Sequence, residues 1–290
     1  MKRLTIIFFG SFQTYSVQVL EHLAQAYEVT AVISTPPKPA GRNLALKSTD
    51  VEIYARKHDL PIFTPETLEA IPDSLMKPDF IVVAGYGKLI PANWLAFNTI
   101  MAVNIHFSLL PEYRGAFPAE WAILRGEKKT GVTLIHMSAE FDKGEMLAKR
   151  SIPIEADDTR ETLYKKLYDL GGILAVAVLP KIKSGEIIPK PQPQGEFFYA
   201  RKISRDEGFI AWDEFVSALI GDSSSLSTKF RALIGWPGVW TTITNSQSNT
   251  LTKQLEGKRL KLVAMKPEIM VQLEGKNPTS WKQFQEAYLR

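Results

Sequence analysis

The chain has 290 residues, 45% hydrophobic and 23% charged, an ordinary globular composition in which two domains are the natural expectation. It contains no cysteine, which excludes disulfides, thiolate catalysis, thiolate zinc sites and iron–sulfur clusters and fits a reducing, cytoplasmic setting. The formal net charge is +4, and residues 201–290, with 13 Lys+Arg against 9 Asp+Glu, carry the whole excess, as a solvated surface does or as a face that attracts a polyanion such as RNA does.

Residues 4–9 form a six-residue apolar run that stops at Gly10 without a small-residue cleavage site. The run is too short for a secretory core or a membrane span and reads as a first buried strand. No other segment approaches twenty apolar residues, so a soluble protein without membrane contact is expected. Residues 17–27 read as a helix, 29–34 as a strand and 51–58 as a helix, and 80–84, 100–105 and 132–137 as further apolar strands. Continuous β-rich runs separated by helices predict an α/β fold with a parallel sheet covered on both faces, presenting ligands at its strands' carboxyl ends.

Asp158 and Thr159 supply N-cap chemistry for a long helix over 160–183, which ends at Ser184-Gly185. Prolines 189, 191 and 193, set among Gln and Gly, read as an extended linker. The expected organisation is a first domain over 1–188, a linker over 189–204 and a C-terminal domain over 205–290. That last part opens with a helical stretch, continues through a polar loop at 222–225, and carries short β-like runs at 239–243, 260–264 and 269–273. Short strands with turn signals predict a small β-rich domain, such as a barrel.

The segment Asn104-Ile105-His106-Phe107-Ser108-Leu109-Leu110-Pro111 leaves an apolar strand. Alternation puts Asn104 and His106 on one side of it. An amide donor beside a histidine can serve acyl transfer, the amide stabilising an oxyanion and the histidine moving protons. The same spacing also occurs as a hydrogen-bonded structural pair. Asp142, in a Gly-containing loop after the 132–137 run, is either a turn residue or a carboxylate that orients a histidine. His22 and His58 fall in helices and read as surface residues; His136 falls in a strand and reads as packed. No histidine spacing supports a metal site.

Phosphate loops are weak. Gly10 stands alone after the first strand, and Gly85-Tyr86-Gly87 runs into Lys88-Leu89-Ile90-Pro91 and not into a dinucleotide fingerprint, which argues against NAD and ATP enzymes. Residues 35–48 form a Pro/Gly loop carrying Lys38, Arg42 and Lys47 and no acid, either a solvated loop or a basic finger for a polyanion.

Together these segments resemble the methionyl-tRNA formyltransferase family, a branch of the formyltetrahydrofolate-dependent formyltransferases. The resemblance rests on Asn104 to Pro111, Arg114-Gly115 with Pro118, and Asp142, Gly144, Met146 and Leu147. It extends to the basic loop over 36–42, to Ser204 to Glu207 with Ile210 and Trp212, to Arg231 with Trp236-Pro237-Gly238, and to 273–278 with Phe284. Phe107 and Phe117 depart from the small residues usual in the family, and the stretch between Lys261 and Leu273 looks shorter.

The resemblance implies a Rossmann-like N-terminal domain and an OB-like, shortened C-terminal domain that binds tRNA. It implies Asn104, His106 and Asp142 as the catalytic set, and a folate pocket lined by Ser108, Leu109, Leu110, Pro111, Gly85, Tyr86 and Gly87. Lys38, Arg42 and Lys47 would meet the tRNA. The expected reaction moves formyl from 10-formyltetrahydrofolate to initiator methionyl-tRNA for translation initiation, in a cytoplasmic monomer without a metal. The alternative is a nucleotide-sugar N-formyltransferase using the same triad.

Overall fold

The computed structural model of the protein describes residues 3–40, 44–244 and 255–289. The chain divides into two compact units. One gathers residues 1–118, 129–153 and 164–200; the other gathers 119–128, 154–163 and 201–290. The Pro-rich stretch up to residue 200 thus lies with the first unit.

The first unit is built on a seven-stranded sheet. Strand β1 (Thr5–Phe9) pairs in parallel with β2 (Glu28–Ile33) and with β6 (Phe80–Val83); β2 pairs in parallel with β5 (Ile62–Phe63), and β6 with β7 (Met101–His106). The order across the sheet is completed by β9 (Lys129–His136) and β10 (Met146–Pro153) beyond β7. Both of these run antiparallel to their neighbours, so the parallel-dominant sheet that the sequence pattern predicted is mixed on this side. Run length and apolar content mark a strand as buried but carry no information about its direction.

Ile6, Ile7, Phe8 and Phe9 are fully buried, each side chain contributing roughly 1.5–3 kcal/mol. Alternation divides them between the faces. Ile7 and Phe9 join Ile81, Val83, Trp94 and Ala102 on one side, with Phe9 edge-on to Trp94 at 5.3 Å. The other side is covered in part by α1 (Gln13–Ala26) and by α5 (Arg160–Lys183), whose first turn is capped by Thr159 accepting from the Thr162 N–H. Gly171 of α5 lies against Ile105 and Gly172 against His22, so α5 comes down closely on β7 and α1.

Four short strands were not anticipated. Within the stretch expected as a loop, β3 (Lys38–Ala40) and β4 (Ala45–Lys47) pair antiparallel. Strand β8 (Arg114–Gly115) pairs in parallel with β11 (Tyr199–Ala200). Helix α2 (Asp50–Lys57), by contrast, falls within a residue of its expected span and is N-capped by Thr49.

The second unit carries a four-stranded antiparallel sheet in sequential order: β12 (Val239–Thr242), β13 (Arg259–Ala264), β14 (Met270–Leu273) and β15 (Thr279–Ser280). Its core unites Val239, Leu260, Leu262, Val271 and Leu273 with Phe215, Trp281 and Phe284 from the flanking helices α6 (Trp212–Ile220) and α8 (Trp281–Tyr288). Ser280 and Gln283 form a capping box at the start of α8. The stretch at 222–225, expected as a loop, already begins helix α7 (Ser224–Leu233), because Asp222 accepts from the Ser224 N–H and ends the loop early. Among the described residues no helix is long and apolar enough to cross a membrane.

Candidate active site

Asn104 and His106 occupy alternate positions near the end of β7 and face the same side of the sheet. Asp142 reaches them from the loop that joins β9 to β10. Because β9 runs antiparallel, His136 at its end lies opposite Val103, and Thr133 lies opposite His106. The loop therefore has to fold back along β7. Gly144 makes the return tight: a Cβ there would stand 1.8 Å from the His136 carbonyl oxygen. Asp142 itself adopts φ +53°, the left-handed region that aspartate tolerates better than most residues.

The carboxylate gathers three groups. Oδ1 stands 3.3 Å from His106 Nδ1 and 3.5 Å from the Asn104 Nδ2 donor, and Oδ2 accepts from the Gly115 N–H at 2.9 Å. His106 Nε2 lies 2.9 Å from the Tyr113 carbonyl oxygen, which can only accept, so that nitrogen carries a proton. The other ring nitrogen faces a carboxylate. Both positions favour N–H donation, and the doubly protonated imidazolium satisfies both.

Electrostatics agree. Burial of the His106 ring, 5% exposed, opposes its charged form, but the charge and hydrogen bond of Asp142, aided by the Tyr113 carbonyl, outweigh this and push its pKa up. Burial likewise works to raise the Asp142 carboxyl, yet His106, the Gly115 N–H and Arg114 hold it below the usual aspartate range. Each partner thus favours the charged form of the other, and both side chains are largely buried.

The segments named for folate binding leave β6 and β7, parallel neighbours, at the carboxyl ends of both strands. Ser108 is fully buried and donates from Oγ to the Glu112 carbonyl at 2.7 Å. Thr133 Oγ1 donates to the Ser108 carbonyl and accepts from the Leu110 N–H, fixing the Ser108 to Pro111 turn. Tyr86 points into the core, edge-on to Phe9 at 5.2 Å, so the Gly85 to Gly87 segment can offer a ligand its backbone and not the Tyr86 ring. Ser11 ties that segment to the first loop by donating to the Tyr86 carbonyl at 2.6 Å.

Phe107 lies on the opposite side of β7 from the triad. It stacks on Tyr168 of α5 at 3.6 Å, within a cluster that also holds Phe12, Tyr15 and Tyr164. Its bulk is absorbed behind the strand. Of the basic set, Lys38 and Lys47 are exposed and directly opposite one another in the hairpin; Arg42 lies outside the described residues. His22 pairs with Asp169 at 2.8 Å, His58 stacks on Tyr54, and His136 stands 4.0 Å from Glu145. Among the described residues no group of three His, Asp or Glu side chains is placed to hold a metal ion.

Several participants were not legible in the residues alone. The Gly115 N–H and Tyr113 carbonyl are backbone groups and leave no residue-type signal. Gln192 donates from Nε2 to the carbonyls of Asp142 and Gly144, and its only sequence mark is a polar side chain between two prolines, Pro191 and Pro193.

The sheet carries Asn104 and His106 on one strand with Asp142 reaching them from a loop, and the family model described as formyl transferase matches residues 2–179. A methionyl-tRNA formyltransferase of Enterococcus faecalis is 36% identical over 242 residues, covering 82% of this chain and 75% of the relative. The chain belongs to the methionyl-tRNA formyltransferase family. Solved structures share the fold at lower identity. HypX from Aquifex aeolicus in complex with tetrahydrofolic acid gives a TM-score of 0.62 at 18% identity, covering 100% of this chain and 48% of that one. The N-formyltransferase from Helicobacter canadensis, in complex with folinic acid and dTDP-3-aminofucose, gives 0.60 at 18% identity, covering 94% and 96%.

Proposed function

We propose that this protein transfers the formyl group of 10-formyltetrahydrofolate to the α-amino group of methionine on initiator tRNA, serving translation initiation. The observation that carries the reading is the grip of one Asp142 carboxylate on Asn104, His106 and the Gly115 N–H.

In the proposed chemistry the neutral amine attacks the formyl carbon, a C–N bond forms, and the carbonyl electrons move onto oxygen. Asn104 Nδ2 donates to that oxyanion, an effect worth roughly 3–4 kcal/mol for one well-placed donor. The imidazolium of His106 adds a fixed positive charge close by. The amine's proton passes to Asp142, and one proton is returned from the same pair to N10 as the N10–C bond breaks, so the site ends as it began. General acid–base assistance of this kind contributes about 10²- to 10⁴-fold. Ser108, Leu109, Leu110 and Pro111, with the backbone of Gly85, Tyr86 and Gly87, would frame the folate. The scheme uses no metal ion and no covalent nucleophile.

The tRNA half of the reading draws on two surfaces. In the β3–β4 hairpin, like charges at Lys38 and Lys47 face each other across the strands, an arrangement that disfavours the free hairpin and that a polyphosphate would relieve. In the second unit Trp240 is flanked by the guanidinium groups of Arg205 at 5.3 Å and Arg259 at 5.0 Å, a cation–aromatic face suited to nucleic acid. An OB barrel has five strands. The four strands among the described residues of the second unit support our reading of it as a reduced, OB-like tRNA-binding module.

Incubation with 10-formyltetrahydrofolate and Met-tRNA, followed by detection of formyl-methionine, tests the assignment. Formylation of a nucleotide-linked amino sugar with none on Met-tRNA would transfer it to the sugar N-formyltransferases.

A further inference from the structure

We infer that Gln192, anchored by Arg114, is a positioning residue that fixes the Asp142 carboxylate for the transfer step; the inference rests on the formyl-transfer reading above. Asp142 needs such support. Its left-handed backbone is uncommon for a residue with a side chain and persists only where neighbours impose it.

Gln192 imposes it with its whole hydrogen-bonding capacity. Both N–H groups of Nε2 are used, one on the Asp142 carbonyl at 2.7 Å and one on the Gly144 carbonyl at 2.8 Å. Oε1 accepts from Nε of Arg114 at 3.1 Å and from its terminal nitrogen at 2.6 Å. A guanidinium can only donate and a carbonyl can only accept, so the amide has one permitted orientation. The residue after Arg114 is Gly115, whose N–H holds Asp142 Oδ2. Gln192 thus closes a ring of contacts that begins and ends on Asp142.

The segment that delivers Gln192 is stiff and stitched down. Pro191 and Pro193 fix the backbone on either side. Lys190 exchanges two backbone hydrogen bonds with Met146, at 2.7 and 2.9 Å. Further on, the Tyr113 N–H donates to the Phe198 carbonyl at 2.9 Å, and β11 pairs with β8. Residues 189–200 form a strap that secures the Asp142 loop, the Gly115 N–H and the residue whose carbonyl holds His106. Gln192 has no contact with the reacting groups, so its effect passes through Asp142.

The test compares Gln192→Glu and Gln192→Met in the full-length protein. Glutamate has the same shape and keeps Arg114, but cannot donate to the two carbonyls; methionine is neutral and does neither. Both variants are expected to lose roughly 100-fold in kcat with KM for the formyl-folate unchanged, the scale of loss for a misplaced catalytic group. In Gln192→Met, the side-chain NMR titration of His106 should move down towards the ordinary histidine value. Among the described residues the charged groups acting on that ring are Asp142 and Arg114. Wild-type kcat in Gln192→Glu, or a lost kcat with an unmoved His106 titration, overturns the inference. If the wild type formylates no amine, the formyl-transfer reading fails by itself, and the His106 titration still decides whether Gln192 holds the pair.

Discussion

Nδ1 of His106 stands 3.3 Å from Oδ1 of Asp142, with the opposite ring nitrogen already committed to a backbone carbonyl. The aspartate therefore favours the charged form of the histidine over the free base. The pH behaviour follows from that. The raised pKa of His106 contributes stability in full below the ordinary histidine value of about 6.5, and this is lost as pH rises through the raised value. The lowered pKa of Asp142 contributes in full above the ordinary aspartate value of about 3.9, and this is lost as pH falls through the lowered value. The expected result is a plateau in urea midpoint between those ordinary values, sloping away on either side. Asp142→Asn should flatten it. An unchanged profile in that variant removes the ion pair from the account.

Asn104→Ala removes the donor assigned to the oxyanion and should lower kcat by about 10²- to 10³-fold, with little change in the thermal midpoint. Asn104 is half-buried and its one described side-chain contact, to Asp142 at 3.5 Å, is long, so the loss falls on the reaction and not on folding. Near-normal turnover would detach Asn104 from the chemistry.

Lys38→Ala with Lys47→Ala should weaken use of Met-tRNA while leaving folate affinity intact. A plot of log KM for tRNA against log salt should flatten by about one to two units, as expected when two phosphate contacts are removed. Equal salt slopes in wild type and variant would place the tRNA elsewhere.

Phe107→Ala separates packing from catalysis. The ring stacks on Tyr168 behind β7, so its loss should cost about 3–5 kcal/mol in urea unfolding. Turnover per folded molecule should stay close to wild type. A collapse of kcat in folded protein would mean that the aromatic cluster shapes the pocket after all.

Gly144→Ala meets the opposite fate. Its Cβ would be driven against the His136 carbonyl, a backbone atom that cannot swing aside. Formyl transfer should fall at least as far as in Asp142→Ala, as measured in the same assay.

Much of this framework could be read from residue order. The runs at 4–9, 29–34 and 80–84 are apolar on both faces because their strands are buried on both faces, and Thr159 announces the start of α5. The edge strand β10 escaped because Met-Leu-Ala-Lys-Arg-Ser-Ile-Pro shows its polar side to solvent and has no long apolar run. Asn104 and His106 were legible as a pair through strand alternation. The approach of Asp142 was not, since it depends on β9 running antiparallel. The prolines around Gln192 read as a spacer, and nothing in their spacing reveals that the glutamine between them docks on residues about fifty positions earlier.

That separation has a consequence for how the protein comes into being. A nascent chain leaving the ribosome displays Asn104, His106 and Asp142 well before Gln192 exists, and at about 5–20 residues per second the delay lasts seconds. Throughout that interval the Asp142 loop is without the two hydrogen bonds that Gln192 donates to it. On the role inferred for Gln192, full turnover is acquired only when the strap arrives.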